Sequence, residues 1–413
     1  MAKPRVIIVG AGIAGPVLAV FLKTRGYDPV IYERLPGPGE GGLGFTLQPN
    51  GIRVLSLIPE LLEQIPGHSP DRMIHCSCLG GVEDILVDND ISPATMRAQF
   101  GFPVIGVRRP EFQQLLIDTA EKHGVEIKWS HQAMEFEQSE DAVDVTFANG
   151  TKDTASFVVG CDGLHSNTRI ALFGKEKADF TGMVRVGGVS PTPPALQGSL
   201  ALVNNYGDGR HMIAYPVSED RYSWALIILG VSVTTRGPEA KEDWRTQNAE
   251  QQNEIRKGPL SAWGFGAGDL VKTGQKIVKY GLYDRPELES WFKGRIVLLG
   301  DAAHPTSPHL AQGANQAFED IYHFVRLLGK HNPSADQLST ELLLRVFTDY
   351  QDLRLLRTSE LVRGARRQGE IRVVEGVNAC RARDEAIRAG LNNDAARRAH
   401  DELLSGPFTV NEM

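Results

Sequence analysis

Three glycines and one acidic residue near the start of the chain have the spacing of a dinucleotide site. Gly10, Gly12 and Gly15 form the pattern G-x-G-x-x-G directly after an apolar run at positions 6–9. The first glycine permits a tight turn, the second lets backbone approach a pyrophosphate, and the third lets a helix pack close to a strand. Glu33 follows Gly15 by 18 residues, near the ~20-residue offset at which a carboxylate meets ribose hydroxyls. These residues predict phosphate and ribose binding.

Two later motifs place an acid after an apolar run. They read Cys161-Asp162-Gly163-x-x-Ser166-x-x-Arg169 and Gly300-Asp301-Ala302-Ala303-His304-Pro305, the second followed by Pro308 and Gln312-Gly313-Ala314-Asn315. An acid at the carboxyl end of a parallel strand lies where open α/β sheets bind ligands. The residues from 313 onward have the apolar spacing of a helix, whose free N-terminal N–H groups can face a ligand. Both motifs therefore indicate ligand contacts.

Side chains that could act on a substrate occur in the middle of the chain. His211, Ile213 and Tyr215 share one face of a predicted strand over 210–216, because side chains alternate along a strand. His211 and Tyr215 would lie about 13 Å apart at about 3.3 Å per residue, too far to touch. A packed structural histidine is the more common case for a residue such as His211. Arg109, just before a predicted helix, could reach a phosphate or carboxylate, or be an ordinary surface arginine.

The segments that carry these residues predict two kinds of structure, a strand-helix-strand unit and an antiparallel sheet. Residues 3–33 predict strand, helix and strand, and buried strands are predicted again near 155–160 and 294–299. Residues 181–283 predict an antiparallel meander, and Asn149-Gly150 predicts a hairpin turn. We therefore expect an α/β protein with a Rossmann-like nucleotide-binding domain (1–175 and 286–335), an inserted antiparallel-sheet substrate domain (176–285) and C-terminal helices (336–413). The arginine-rich last part predicts a solvated helix face with ion pairs.

Composition excludes several classes of function. The 413 residues are 41% hydrophobic and 23% charged, and the net charge is −7, so no basic surface favours nucleic acid. Four scattered cysteines favour neither a disulfide framework nor a metal site. No apolar run is long enough for a membrane span. We expect a cytoplasmic monomer or homodimer without a metal.

The three motifs, taken in their order along the chain, closely resemble those of the class A flavoprotein monooxygenases. One segment resembles the salicylate hydroxylase-like branch of these aromatic hydroxylases, with the sequence Leu310-Ala311-Gln312-Gly313-Ala314-Asn315-Gln316. The resemblance spans about residues 5–365 and implies FAD as the cofactor, with Glu33 on the adenosine ribose and Asp301 on the ribityl chain. The other implied FAD or NAD(P)H contacts are Gly10, Gly12, Gly15, Arg34, Gly44, Arg109, Asp162, Gly163, Pro308, Gly313, Ala314 and Asn315.

The resemblance also implies a reaction. NAD(P)H would reduce FAD, O2 would form a flavin C4a-hydroperoxide, and a small aromatic or polycyclic substrate would be hydroxylated or epoxidised. Tyr215, Arg185 and His211 are the candidates for activating or orienting a phenolate. Two alternatives stay open at this point: an FAD-dependent reductase or dehydrogenase on the same fold, and a non-catalytic binding module whose conformation FAD sets.

Overall fold

The protein is described by a computed structural model that covers residues 3–79, 84–176, 179–229, 245–246, 248–390 and 394–411. The strands within these ranges are β1 (Arg5–Val9), β2 (Asp28–Tyr32), β3 (Gly44–Leu47), β4 (Gly67–His68), β5 (Arg72–Ser77), β6 (Asp84–Asp90), β7 (Ile105–Arg108), β8 (Glu126–Lys128), β9 (Ala133–Gln138), β10 (Val143–Phe147), β11 (Lys152–Ala155), β12 (Phe157–Gly160), β13 (Asp179–Pro191), β14 (Ala201–Gly207), β15 (Arg210–Ser218), β16 (Arg221–Leu229), β17 (Arg245–Thr246), β18 (Gln275–Asp284), β19 (Phe292–Lys293) and β20 (Ile296–Leu298). The α-helices are α1 (Ala14–Thr24), α2 (Pro49–Leu55), α3 (Pro93–Phe100), α4 (Arg109–Lys122), α5 (Asn167–Phe173), α6 (Ala249–Lys257), α7 (Ala267–Lys272), α8 (Gly313–His331), α9 (Thr340–Arg372), α10 (Val377–Gly390) and α11 (Asp394–Ser405).

A six-stranded sheet forms the nucleotide-binding layer, in the order β19-β20-β12-β1-β2-β8. β1 pairs in parallel with β2 and β12, and β12 pairs in parallel with β20. The apolar run of β1 lies in the core, where Val6, Ile7 and Ile8 are fully buried, as expected for a central strand of a parallel sheet. The predicted α/β fold class is confirmed, and the carboxyl ends of β1, β12 and β20 meet at one edge.

An eight-stranded sheet forms the second layer, in the order β17-β18-β13-β16-β15-β14-β5-β6. Its strands pair antiparallel except β14 and β5, which run parallel. The sheet extends beyond the predicted segment 176–285, because β5 and β6 come from residues 72–90. Such a long-range pairing joins segments far apart in sequence, so local pattern alone could not reveal it.

Two small sheets complete the β-structure, with the orders β11-β10-β9 and β3-β7-β4. Asn149 and Gly150 form the predicted turn between β10 and β11, where Gly150 has a φ of +83°. The run predicted near 155–160 divides into β11 and β12, which belong to different sheets. The sheet of β3, β7 and β4 lies beside the eight-stranded sheet, where Gly106 of β7 closely approaches the backbone of Pro216 in β15.

The C-terminal part is helical as predicted, but its charged residues do not all lie on a solvated face. Arg354 is only 1% exposed and pairs with Glu319 and Asp320, which are fully buried. Arg363 and Arg366 do form the expected exposed ion pairs, with Glu287 and Glu370. The prediction of a solvated face was therefore wrong for Arg354, because α9 packs this side chain against α8.

The described part of the chain offers neither a candidate membrane span nor a candidate metal cluster. None of its helices is both long and apolar enough to cross a bilayer. Within the same ranges, no three His, Cys, Asp or Glu side chains come together in a way that could hold a metal ion.

Candidate functional site

The glycine turn between β1 and α1 has the geometry that its spacing predicts. Gly10 has a φ of +108°, and a methyl group there would lie 2.6 Å from the carbonyl oxygen of Cys161. A methyl group on Gly15 would overlap the carbonyl oxygen of Gly10, whereas one on Gly12 would meet no atom within 4 Å. Gly10 and Gly15 are thus required by the packing of the turn itself, while Gly12 leaves open space for a ligand.

Glu33 closes this turn from the end of β2. Its Oε2 accepts a hydrogen bond from the N–H of Ala11 at 2.8 Å, and its Oε1 accepts one from Leu35 at 3.0 Å. The carboxylate therefore lies beside the glycine turn, as the 18-residue offset predicts. It is partly exposed and can accept further hydrogen bonds from a ribose.

One cavity of about 500 Å³ connects the glycine turn with the eight-stranded sheet. The predicted residues that line it are Gly10, Gly12, Glu33, Arg34, Gly44, Arg109, Asp162, Gly163, Arg185, His211, Tyr215, Asp301, Pro308, Gly313 and Ala314. Residues that lie up to 304 positions apart in sequence thus share one space. Gly15 and Asn315 are the two predicted site residues outside this lining.

The side chains of Asn315 and Asp162 are committed to the protein itself. Asn315 is fully buried; its Oδ1 accepts from the backbone of Gln48 at 3.0 Å and its Nδ2 donates to Thr46 at 3.1 Å. The Asp162 carboxylate accepts from Ser166 Oγ at 2.6 Å and from the Thr168 N–H at 3.0 Å. Asn315 therefore fixes the segment between β3 and α2, and Asp162 fixes the start of α5.

Arg109 and Asp301 bring opposite charges to the cavity. Arg109 begins α4 and donates to the carbonyl oxygen of Gly41 at 3.0 Å. Gly42, with a φ of +98°, makes room for it, because a methyl group there would lie 2.6 Å from the Arg109 side chain. Burial raises the pKa of the Asp301 carboxyl, while the charges of His304 and Arg109 act in the opposite direction. Asp301 stays accessible from the cavity.

A buried network holds the loop that carries Asp301. Asp320 of α8 accepts from the Gly300 N–H at 3.1 Å and pairs with His304 Nε2 at 2.6 Å. Arg354 of α9 donates to the other oxygen of Asp320 at 2.7 Å. Burial alone would raise the pKa of Asp320, but His304 and Arg354 lower it to about 2. The carboxylate is therefore ionised and can anchor the loop from both sides.

The face of the eight-stranded sheet that borders the cavity is built of three cross-strand rows. Their members, from β13 through β16 to β15, are Arg185, Ile227 and His211 in the first row, Gly187, Ala225 and Ile213 in the second, and Val189, Ser223 and Tyr215 in the third. Directly paired residues project from the same side of a sheet. The face therefore has a cationic row, a small apolar row and a hydroxyl-bearing row.

His211 is neutral and has a fixed tautomer. Its Nε2 lies 3.0 Å from Asn204 Oδ1, an acceptor, so the ring proton is on Nε2. Nδ1 then carries the lone pair, and it has no hydrogen-bond partner within the described chain. Burial, followed by the charge of Arg372, lowers the pKa of His211 well below its usual range. The imidazole can therefore accept a hydrogen bond from a ligand.

Tyr215 and Arg185 stand at opposite rows of the same face. Burial raises the pKa of the Tyr215 phenol, while the charge of Arg185 and a hydrogen bond with Ser223 act in the opposite direction. The guanidinium of Arg185 lies 5.9 Å from the centre of the Tyr280 ring. Tyr215 is thus a protonated hydrogen-bond donor at neutral pH, and Arg185 supplies a fixed positive charge.

Sequence reasoning missed Arg372, the last residue of α9, which also lines the cavity. Its guanidinium donates from Nη1 to the carbonyl oxygen of His309 at 2.8 Å. Nothing near position 372 distinguishes this arginine from the neighbouring charged residues of a long helix. Only the path of α9 relative to the sheet reveals its place.

Comparisons with known proteins find relatives that cover most of this chain. A family model described as "FAD binding domain" matches residues 3–338. The 3-amino-4-hydroxybenzoate 2-monooxygenase of Streptomyces cremeus is 30% identical over 387 residues, which cover 93% of this chain and 92% of that protein. The 6-hydroxynicotinate 3-monooxygenase of Pseudomonas fluorescens is 31% identical over 339 residues, covering 80% and 84%.

The fold also matches a solved structure. The crystal structure of Klebsiella pneumoniae HpxO complexed with FAD and uric acid superposes with a TM-score of 0.80. The match covers 98% of this chain and 97% of that one at 22% sequence identity. Such a match extends the likeness of fold beyond residue 338 to the C-terminal helices.

Proposed function

The chain belongs to the FAD-binding-domain family and is an FAD-dependent monooxygenase, and we propose that it oxygenates a small aromatic compound seated on the three-row face of the eight-stranded sheet. Its co-substrates are NAD(P)H and O2. We place the substrate there because one cavity is lined by the glycine turn, by Asp301 and by the sheet face. A cofactor bound at the turn and a substrate on the sheet would occupy one continuous space.

The residues present fit FAD. Gly12 leaves open space where a side chain would block a pyrophosphate, and Glu33 and Arg109 border the same cavity. We propose that Glu33 accepts from the adenosine ribose, that Arg109 and the N-terminus of α1 face the phosphates, and that Asp301 accepts from the ribityl chain. Gly313 and Ala314, at the start of α8, would border the ring system. Bound FAD supplies the chemistry of reduction by NAD(P)H and of O2 activation.

The protein's own part is to hold the substrate ring and its proton. Ala225 and Ile213 of the middle row line the cavity and offer a small apolar surface on which a flat ring can lie. His211 Nδ1 would accept the hydrogen bond of a ring hydroxyl, and Tyr215 would donate one from the other side. The positive charge of Arg185 would favour the phenolate, which makes the ring carbon more electron-rich.

The walls of the substrate end of the cavity would also contribute to the reaction. The sheet face, α8 and the segment 306–311 enclose the substrate end of the cavity. Enclosure excludes water and strengthens the electrostatic effect of Arg185 and of the neutral His211. We further propose a cytoplasmic location. We also propose that the protein is a monomer or a homodimer, and size-exclusion chromatography would distinguish these two states.

The test begins with the absorption spectrum of the purified protein. A flavin spectrum, followed by NADPH or NADH oxidation that rises with one phenol or hydroxy-substituted aromatic acid and yields an oxygenated product, would support the proposal. Turnover that persists without O2 would instead indicate a reductase. Flavin without any pyridine-nucleotide oxidation would indicate a binding module, and a protein that cannot be reconstituted with FAD would overturn the assignment.

A further inference from the structure

The substrate end of the cavity contains a cation that the sheet does not supply. Arg372 reaches the cavity from the end of α9, and its Nη1 is held by the His309 carbonyl oxygen at 2.8 Å. Its Nε is buried and has no hydrogen-bond partner within the described chain. Tyr206 is a further hydrogen-bond partner of the guanidinium, and the buried Nε is the donor that the described chain leaves unused.

Within the described ranges, no carboxylate forms an ion pair with Arg372. Among the described residues, none of the ion pairs involves Arg372, and burial lowers its pKa while only Tyr206 acts to raise it. The acidic residues that line the cavity, Glu33, Asp162 and Asp301, belong to the nucleotide-binding loops. A buried guanidinium without a counter-ion is costly, and an anionic ligand group would remove that cost.

The cavity-lining side chains beside Arg372 are the neutral His211 and His309 and the positive Arg185. Burial, followed by the charge of Arg372, lowers the pKa of His75 to about 4 and that of His309 to about 3, so both are neutral at pH 7. His211 is neutral for the same two reasons. Arg185 lies in the cavity-facing row of His211 and also acts on His309. This end of the cavity is thus positive at neutral pH.

We propose that Arg372 is a specificity-determining residue that binds an anionic oxygen group of the aromatic substrate. The group is a carboxylate or an ionised ring oxygen, and Nε and the remaining Nη hydrogens would donate to it. The ring would then extend over the apolar middle row toward Tyr215. This inference rests on the proposed function for the presence of a substrate, but it concerns binding and not the oxygenation step.

The test measures the binding of matched anionic and neutral probes to the holoenzyme by perturbation of the flavin absorbance. The pair 3-hydroxybenzoate and 3-hydroxybenzamide reports on a carboxylate, and the pair 4-nitrophenol at alkaline pH and nitrobenzene reports on a ring oxyanion. We expect the wild type to bind one anion about 10- to 100-fold more tightly than its neutral partner, the range of a hydrogen bond to a charged group. Arg372→Gln should abolish this preference.

Arg367→Gln is the matched control, because Arg367 is an exposed arginine on the same helix. It should keep the wild-type preference. Arg372→Lys retains the positive charge and should keep part of it, which distinguishes charge recognition from a folding defect. If Arg372→Gln does not fold, the wild-type ratio and the lysine variant still decide. Equal binding of anion and neutral probe by the wild type, or a preference that survives in a folded Arg372→Gln protein, would overturn the inference.

The same protein separates this inference from the proposed function. Substrate-stimulated NAD(P)H oxidation with an oxygenated product, but no preference for anions, would overturn the role of Arg372 and leave the monooxygenase reaction intact. Arg372-dependent binding of anions without any oxygenated product would do the reverse.

Discussion

Arg354 Nε donates to Asp320 Oδ1 at 2.7 Å, across 34 residues and between two helices, with both side chains buried. The same guanidinium donates from Nη1 to Glu319 at 2.7 Å. Because Asp320 also binds Gly300 and His304, the C-terminal helix α9 helps to hold the loop that carries Asp301. The loop in which we place a cofactor contact thus depends on a residue in the last part of the chain.

Removing this guanidinium should destabilise the fold. Arg354→Met takes the buried guanidinium away from two buried carboxylates, so that Glu319 keeps only Arg357 and Asp320 only His304 as charged partners. This loss should cost about 3–5 kcal/mol of unfolding free energy. Arg345→Met, on the exposed side of the same helix, removes only a surface pair with Glu341 and should cost about 0.5 kcal/mol or less. Urea denaturation of both variants measures the difference. Equal unfolding midpoints for Arg354→Met and the wild type would contradict the assigned role.

The glycine turn allows binding to be separated from folding. Gly12→Ala places a methyl group in open space, so the apoprotein should melt within about 2 °C of the wild type while FAD affinity falls at least about tenfold. Gly15→Ala forces a methyl group onto the Gly10 carbonyl oxygen and should lower the melting temperature itself. Thermal unfolding of the apoproteins and fluorescence titration with FAD give the two readouts. Unchanged FAD affinity in Gly12→Ala would refute the proposed pyrophosphate position.

Asp301 should be needed for cofactor retention. Asp301→Ala removes the accessible carboxylate at the end of β20, where we place the ribityl chain, and should purify with clearly reduced flavin. The ratio of flavin to protein absorbance measures the occupancy. Asp336→Ala, an exposed aspartate away from the cavity, is the control and should keep full flavin. Full occupancy in Asp301→Ala would show that the assignment is wrong.

Tyr215 should affect product formation more than cofactor binding. Tyr215→Phe removes the hydroxyl but keeps the ring, so the third row of the sheet face loses its donor while its packing is preserved. We expect product formation to fall about 10- to 100-fold, within the range of acid–base assistance, with flavin content unchanged. Product analysis by chromatography, together with the flavin spectrum, provides the measurement. An unchanged rate would remove Tyr215 from the mechanism.

Acidification should destabilise the protein before most carboxylates titrate. His309 and His75 have folded-state pKa values lowered to about 3 and about 4, below the ~6.5 of an unfolded histidine. Their contribution to stability is complete above about pH 6.5 and is lost as the pH falls toward 4, because the unfolded chain binds protons first. Asp320, with a pKa of about 2, acts only below about pH 4.

The melting temperature should therefore fall between pH 7 and pH 5, and His309→Gln should make this fall smaller. Differential scanning calorimetry at pH 7, 6 and 5 measures both proteins in buffers of equal ionic strength. If the wild type melts at one temperature over this range, or if His309→Gln shows the same decline as the wild type, the histidines do not have the assigned role.

Local patterns in the sequence are enough to predict the glycine turn and the class of protein. Gly15 packs on the Gly10 carbonyl oxygen and the Glu33 carboxylate accepts from the Ala11 N–H within one β-α-β unit, so their spacing is enough to predict their geometry. The alternation of His211 and Tyr215 along β15 was predictable for the same local reason, since a strand has a fixed period of two. The order of the three motifs then pointed to a flavoprotein, and the family match bears this out.

The tertiary structure is needed to tell which polar side chains face the cavity and which bind partners within the protein. Asn315 and Arg354 look like a ligand contact and a surface charge in sequence, yet burial against distant segments commits both to internal partners. Arg372 shows the reverse, because the path of a 33-residue helix brings an unremarkable arginine into the cavity. These outcomes depend on packing between segments far apart in the chain. Burial makes the pairing of a charge important, because a buried charge that loses its partner destabilises the fold.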